Sequence, residues 1–292
     1  MASRGLGQIG AGSAAVSHES FLRHKSYRWL KIATLLCLVS LVAYIFADVQ
    51  PRPNGGSWLG YTLGTIGALL ILWLTLLGVR KRAMTPGRWS LKAWTSAHVY
   101  LGLSLIIVAT LHTGFQFGWN VHTLAYALMM LVIISGIYGI SVYALLPGEL
   151  SDNRVEMTKP QMIEAVRKVD QQLQISAQPL AIEDSELVLA SVDTDPFKAG
   201  LFRRLSGHYP NCGNRRALRE MRRRLTTATG EEADNLETIV GLLERKELAL
   251  SRIRRHLRIR AMLEVWLYVH VPVTFALIAA LLAHIISVFF YW

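Results

Sequence analysis

The sequence predicts an all-α integral membrane protein: a bundle of transmembrane helices with a mainly helical cytoplasmic insertion. Three observations carry that expectation. Apolar residues make up 52% of the 292 and gather in five runs, about 29–47, 59–79, 94–115, 121–146 and 262–290. Each run is near the roughly 20 residues a helix needs to cross a bilayer. Arg and Lys fall on alternate loops: the N-terminus, the 80–92 loop and the 148–260 segment hold nearly all of them, and the opposite side holds Arg52 alone. Cytoplasmic loops carry that excess, so the N-terminus is expected inside and the C-terminus outside. Two histidine pairs of one spacing, His98/His112 and His270/His284, lie inside the apolar runs.

Taken in order, residues 1–28 are expected to form a disordered cytoplasmic N-terminus, the first twenty being Gly-, Ser- and Ala-rich without periodicity. Residues 29–147 hold the first four spans. The first is long and Ile45-Phe46-Ala47 is a poor cleavage site, so it reads as a retained span rather than a signal peptide. It ends at Asp48, and Pro51, Pro53, Asn54, Gly55 and Gly56 make an outside turn. The second span carries Gly60, Gly64 and Gly67, small residues that let a helix or a flat ring approach the backbone. Trp89 and Trp94 suit the inner interface. In the third span Gly102 and Ala109 lie near the histidine face, and a turn through Gly114, Gly118 and Trp119 leads into the fourth. That span holds Gly136 and Gly139 and stops at Pro147-Gly148.

The insertion, 148–260, divides by charge. Residues 149–195 are acidic, with a helix expected near 159–174 and a strand at Leu187–Val192. Residues 198–224 hold nine Arg or Lys against Glu220 alone. From Glu231 the apolar positions Leu236, Ile239, Val240, Leu243 and Leu250 follow a helical period. No proline interrupts it before Pro272, so one helix is expected to run from the insertion into the fifth span, 261–292, with a kink beside His270. Phe289, Phe290, Tyr291 and Trp292 resemble an interface anchor.

A formal charge of +11 in a soluble chain would suggest nucleic acid. Here the charge follows the loops, so lipid is the expected contact and no nucleic-acid partner is. Cys37 and Cys212 lie on different levels and are not expected to pair, and no Cys-x-x-Cys-His is present for covalent haem attachment.

The histidine pairs carry the chemistry. Fourteen residues climb about 21 Å and return to within about 40° of one helix face. Both members of each pair therefore look from one side of a helix, near opposite bilayer surfaces. Spans three and five run in the same direction, so His98 and His270 share the inner level, and His112 and His284 the outer. Buried imidazoles are costly unless engaged, and neutral imidazole is a good iron ligand. The four side chains suit bis-histidine ligation of two b-type haems. A transporter with a histidine proton relay is the rival reading. A membrane scaffold in which haem is merely structural is a third.

The pairs His98/His112 and His270/His284 resemble those of di-haem b-type cytochromes, the ferric-reductase-like transmembrane family and cytochrome b among them. The likeness covers about 94–146 and 262–290. It implies electron carriage across a membrane, with the donor or acceptor on another chain, because neither a sixth span nor a flavin or nicotinamide domain is expected after the fifth span. A redox partner subunit on the cytoplasmic side and a quinone or outside acceptor are then expected, in a bacterial inner membrane.

Other residues are candidates of lower rank. His122, at the outer start of span four, is either a hydrogen-bonding interface histidine or a proton acceptor at an outer quinone or haem propionate. Arg80, Arg88, Arg258 and Arg260 stand at the inner level, where anionic propionates need compensation. The 198–224 basic stretch is either a solvated, headgroup-contacting surface or a dock for an acidic redox partner. His208-Tyr209-Pro210-Asn211-Cys212 has too few ligands for a metal site and reads as a turn.

Overall fold

The computed structural model describes residues 21–50, 52–82, 90–144, 159–192, 196–210 and 212–290. The expected disorder of 1–20, Arg88, Trp89, the stop at Pro147-Gly148 and the last two aromatics lie outside the described residues. Every regular element among the described residues is helical. The helices are α1 (His24–Phe46), α2 (Trp58–Arg82), α3 (Leu91–Thr113), α4 (Val121–Ala144), α5 (Lys159–Ser176), α6 (Ile182–Val192), α7 (Leu201–Ser206), α8 (Gly213–Leu225) and α9 (Glu231–Phe290). Among the described residues, five helices are long and apolar enough to cross a membrane: α1 with the short turn before it, α2, α3, α4 and α9. The chain is thus compatible with an integral membrane protein.

The described part of 1–28 departs from the expectation. Helix begins at Phe21, in a 3-10 turn that passes into α1, with Lys25, Ser26 and Tyr27 in the left-handed region. Tyr100 of α3 donates to the Leu22 carbonyl at 2.9 Å, which ties this start to the bundle. The expected strand at Leu187–Val192 is also corrected: the segment is the end of α6. A short apolar run does not separate helix from strand by periodicity. Helix prevails because Asp184, Val188 and Ser191, spaced by four and three, are all buried on one face.

Two compact units divide the chain: the described residues of 1–126 with those of 280–292, and the described residues of 127–279. In the first, α3 packs on both α1 and α2. Leu59, Leu63, Val108 and Leu111 form a buried cluster there, with Leu36, Tyr44 and Ile66 around it. Ser90 caps α3 by accepting from the Ala93 N–H at 3.2 Å. Gly114 ends it in the left-handed conformation, where a Cβ would stand 2.3 Å from the Pro53 carbonyl oxygen, so only glycine fits.

In the second unit the polar part of α9 is the spine. Leu236, Ile239, Val240 and Leu243 are buried against Leu173 of α5, Val188 of α6 and Ala217 and Met221 of α8. Leu250, Ile253 and Leu257 continue the stripe with Val166, and Phe197 packs on it. Lys246 is 0% exposed; its ammonium donates to the Asp170 carboxylate and to the Ser191 carbonyl. As expected, α9 is one helix through Pro272 and joins the insertion to the last apolar run.

Candidate functional site

His112, His122 and His284 meet within the first unit. The rings of His112 and His284 stand with centroids 5.9 Å apart and planes at 87°. His122 hydrogen-bonds His284 between their Nδ1 atoms, with centroids 4.7 Å apart. The third partner is backbone: His112 Nδ1 lies 2.8 Å from the Gly60 carbonyl oxygen, to which an Nδ1–H donates. A Cβ on Gly64 would stand 2.7 Å from Cε1 and 2.9 Å from Nδ1 of His112. No side chain other than hydrogen leaves room for the imidazole there. Of the two approaches expected at the second-span glycines, the structure shows that of a neighbouring helix, α3, through its His112 side chain.

The other two paired histidines are held by the same ring atom. His98 Nδ1 lies 3.1 Å from the Leu74 carbonyl of α2, near Trp73 and Trp94, which stack with centroids 4.8 Å apart. In the second unit His270 Nδ1 lies 2.7 Å from Ser135 Oγ of α4. That hydroxyl itself donates to the Val132 carbonyl at 2.7 Å, so it accepts from an Nδ1–H of His270. Trp266 lies one turn before, its ring centroid 5.3 Å from that of His270, and its indole N–H is buried without a hydrogen-bond partner. All four imidazoles are therefore engaged through Nδ1. Where an Nδ1–H is donated to a carbonyl or hydroxyl, the lone pair sits on Nε2, the tautomer that a metal-ligating histidine needs.

The rings of His112 and His284 are neighbours, and two neutral imidazoles are a donor set that an iron would accept. No group of three or more His, Cys, Asp or Glu side chains forms a metal cage among the described residues. A haem takes its equatorial ligands from the porphyrin and asks the protein for two.

The arginine candidates fare unequally. Arg80 is half-buried at the end of α2. Arg258 is exposed, with its stem against Gly207. Arg260 is exposed and paired with Glu264 at 3.2 Å, so its charge is already partly answered. Much of the basic stretch is likewise engaged: Arg215 with Glu247, Arg222 with Glu244, Arg223 with Glu220, and Arg224 with Asp184. Of the turn expected at 208–212, Asn211 lies outside the described residues; the buried Arg254 guanidinium stands over the Tyr209 ring and donates to Cys212 Sγ at 2.9 Å. Sequence reasoning did not find the Gly60 and Leu74 carbonyls, Ser135, or the bond between His122 and His284. Backbone acceptors have no side-chain signature, and Ser135 is an ordinary residue of an apolar helix. Compared with known families, curated proteins and solved structures, the chain matches none.

Proposed function

We propose that the chain is a di-haem b-type cytochrome subunit, with His98 and His270 as ligands at the inner level and His112 and His284 at the outer. The observation that supports the reading is the cradle of His112: a ring anchored on the Gly60 carbonyl, seated on Gly64, with the ring of His284 beside it, 5.9 Å away between centroids. When bound, each haem would supply a one-electron carrier, held by the histidines of this chain.

The protein's own part is to hold each imidazole in one orientation and tautomer. Ser135 and the Leu74 and Gly60 carbonyls fix the Nδ1 edges, and His122 fixes that of His284. Of the cationic candidates for propionates, Arg258 is exposed beside Gly207, and Trp266 adds a buried N–H donor. The proposed setting is a bacterial inner membrane, N-terminus in the cytoplasm and C-terminus outside. Electrons would pass between a cytoplasmic redox partner and a quinone or outside acceptor. A reduced-minus-oxidised spectrum of the purified protein tests the assignment: b-type bands support it, and a colourless preparation overturns it.

A second reading, a histidine-based proton relay in a transporter, draws on one observation, the direct His122–His284 hydrogen bond beside His112. Proton flux through a colourless, reconstituted protein, lost in His122→Ala, would favour it.

A further inference from the structure

We propose that residues 196–207 form an interfacial anchor that lays Leu201 and Phe202 into the headgroup layer of an anionic bilayer, with Lys198 and Arg203 on its phosphates. The proposal needs the apolar end of α9 to lie in a membrane and is indifferent to haem.

Position comes first. Phe197 packs on the Leu250, Ile253 and Leu257 stripe of α9, so the segment lies along the last polar turns of that helix. At its other end a Cβ on Gly207 would stand 3.7 Å from Cδ of Arg258. Arg258 precedes Met262, where the apolar run of α9 begins, by four residues, a climb of about 6 Å. The anchor is therefore set beside the point where α9 passes from polar to apolar surroundings.

Composition agrees with that level. Phe202 is 87% exposed and Leu201 is exposed beside it. Left in water, an exposed pair of large apolar residues calls for a partner. α7, with six residues, is too short to be stable without one. Arg204 turns back to the Ala199 carbonyl at 2.7 Å, whereas Lys198 and Arg203 stay exposed on either side of the apolar pair. Aromatic and aliphatic residues flanked by cations are what the boundary between acyl chains and anionic headgroups accepts. Among the described residues of the insertion, the most exposed aliphatic, Ile182, lacks this setting. Ile182 is followed by Glu183 and Asp184, and its helix packs near Leu236–Leu243 of α9, about 30 Å of helix before Met262.

The test places a nitroxide on Phe202→Cys in the full chain carrying Cys37→Ala, reconstituted in phosphatidylcholine vesicles with or without phosphatidylglycerol. The chain without the added cysteine gives the background from Cys212. In vesicles containing phosphatidylglycerol the label should relax with oxygen and be shielded from a water-soluble nickel complex. A label at Ile182→Cys should show the reverse. Pure phosphatidylcholine, or Lys198→Glu with Arg203→Glu, should raise nickel access at position 202 severalfold. A label at Leu201→Cys gives the same readout should Phe202→Cys fold poorly. Nickel access at 202 equal to that at 182 overturns the proposal. So does shielding from both reagents, which would mean that protein, a second copy of the chain, covers the site.

Discussion

Replacing Gly64 by alanine probes the His112 cradle with a single methyl group. The added Cβ would stand 2.7 Å from Cε1, 2.9 Å from Nδ1 and 3.3 Å from Nε2 of the imidazole. Ordinary carbon contacts are about 3.5–4.0 Å, so the ring must retreat by roughly 1 Å or α2 must move away from α3. A metal site tolerates about 0.2 Å in its ligand distances, so a displacement several times larger breaks the bond. Helix propensity works the other way, alanine being about 1 kcal/mol better than glycine in a helix interior. A loss therefore reports the contact and not a weakened helix. The expected result is a fall from two haems per chain to one by pyridine haemochrome, with the helical circular dichroism retained. Gly67→Ala is the control, since its Cβ would approach nothing nearer than Leu105 Cδ2 at 4.0 Å. Two haems and unchanged spectra in Gly64→Ala would refute the idea that His112 ligates from this seat.

The histidines should sort by level: His98→Ala and His270→Ala should each remove the same haem, and His112→Ala and His284→Ala the other, as seen in redox titrations of the remaining centre. Asp170→Asn should destabilise the insertion by about 3–5 kcal/mol, because a fully buried ammonium loses its carboxylate partner. Adding Lys246→Met should restore most of it in thermal melts, and failure to restore would mean that the pair is not the cause. Burial pushes the Asp184 carboxyl above the usual carboxylate range in spite of Arg224. Its raised folded-state value makes its contribution fullest below the ordinary carboxylate range and lost as pH rises through the raised value, so the stability of wild type relative to Asp184→Asn should fall from pH 3 to 7 in denaturant unfolding. Reversing Arg216 and Arg219, which hold no ion pair among the described residues, tests electrostatic docking without unpairing Glu244 or Asp184. Salt-dependent slowing of haem reduction by the native partner is expected, and an unchanged rate would leave that face to solvent. A reporter fused after residue 292 should respond from outside the membrane.

The sequence by itself determined the apolar helices and the spine of the insertion. Run length, charge on alternate loops and a helical period from Leu236 to Leu250 depend only on local spacing, and the helices and buried positions follow them. It also singled out Gly60, Gly64 and the paired histidines, since fourteen residues return a helix to the same face. Tertiary structure decided what those residues touch. The Gly60 and Leu74 carbonyls and the Ser135 hydroxyl become partners of imidazoles through helix packing, which pairs residues 52, 24 and 135 positions apart. The apolar run Leu187–Val192 turned helical because a face of α6 could be buried on α8 and α9. The basic stretch shows the same limit: composition located its arginines, but the acidic residues of other helices, Glu244, Glu247 and Asp184, decided which charges are spent inside the insertion.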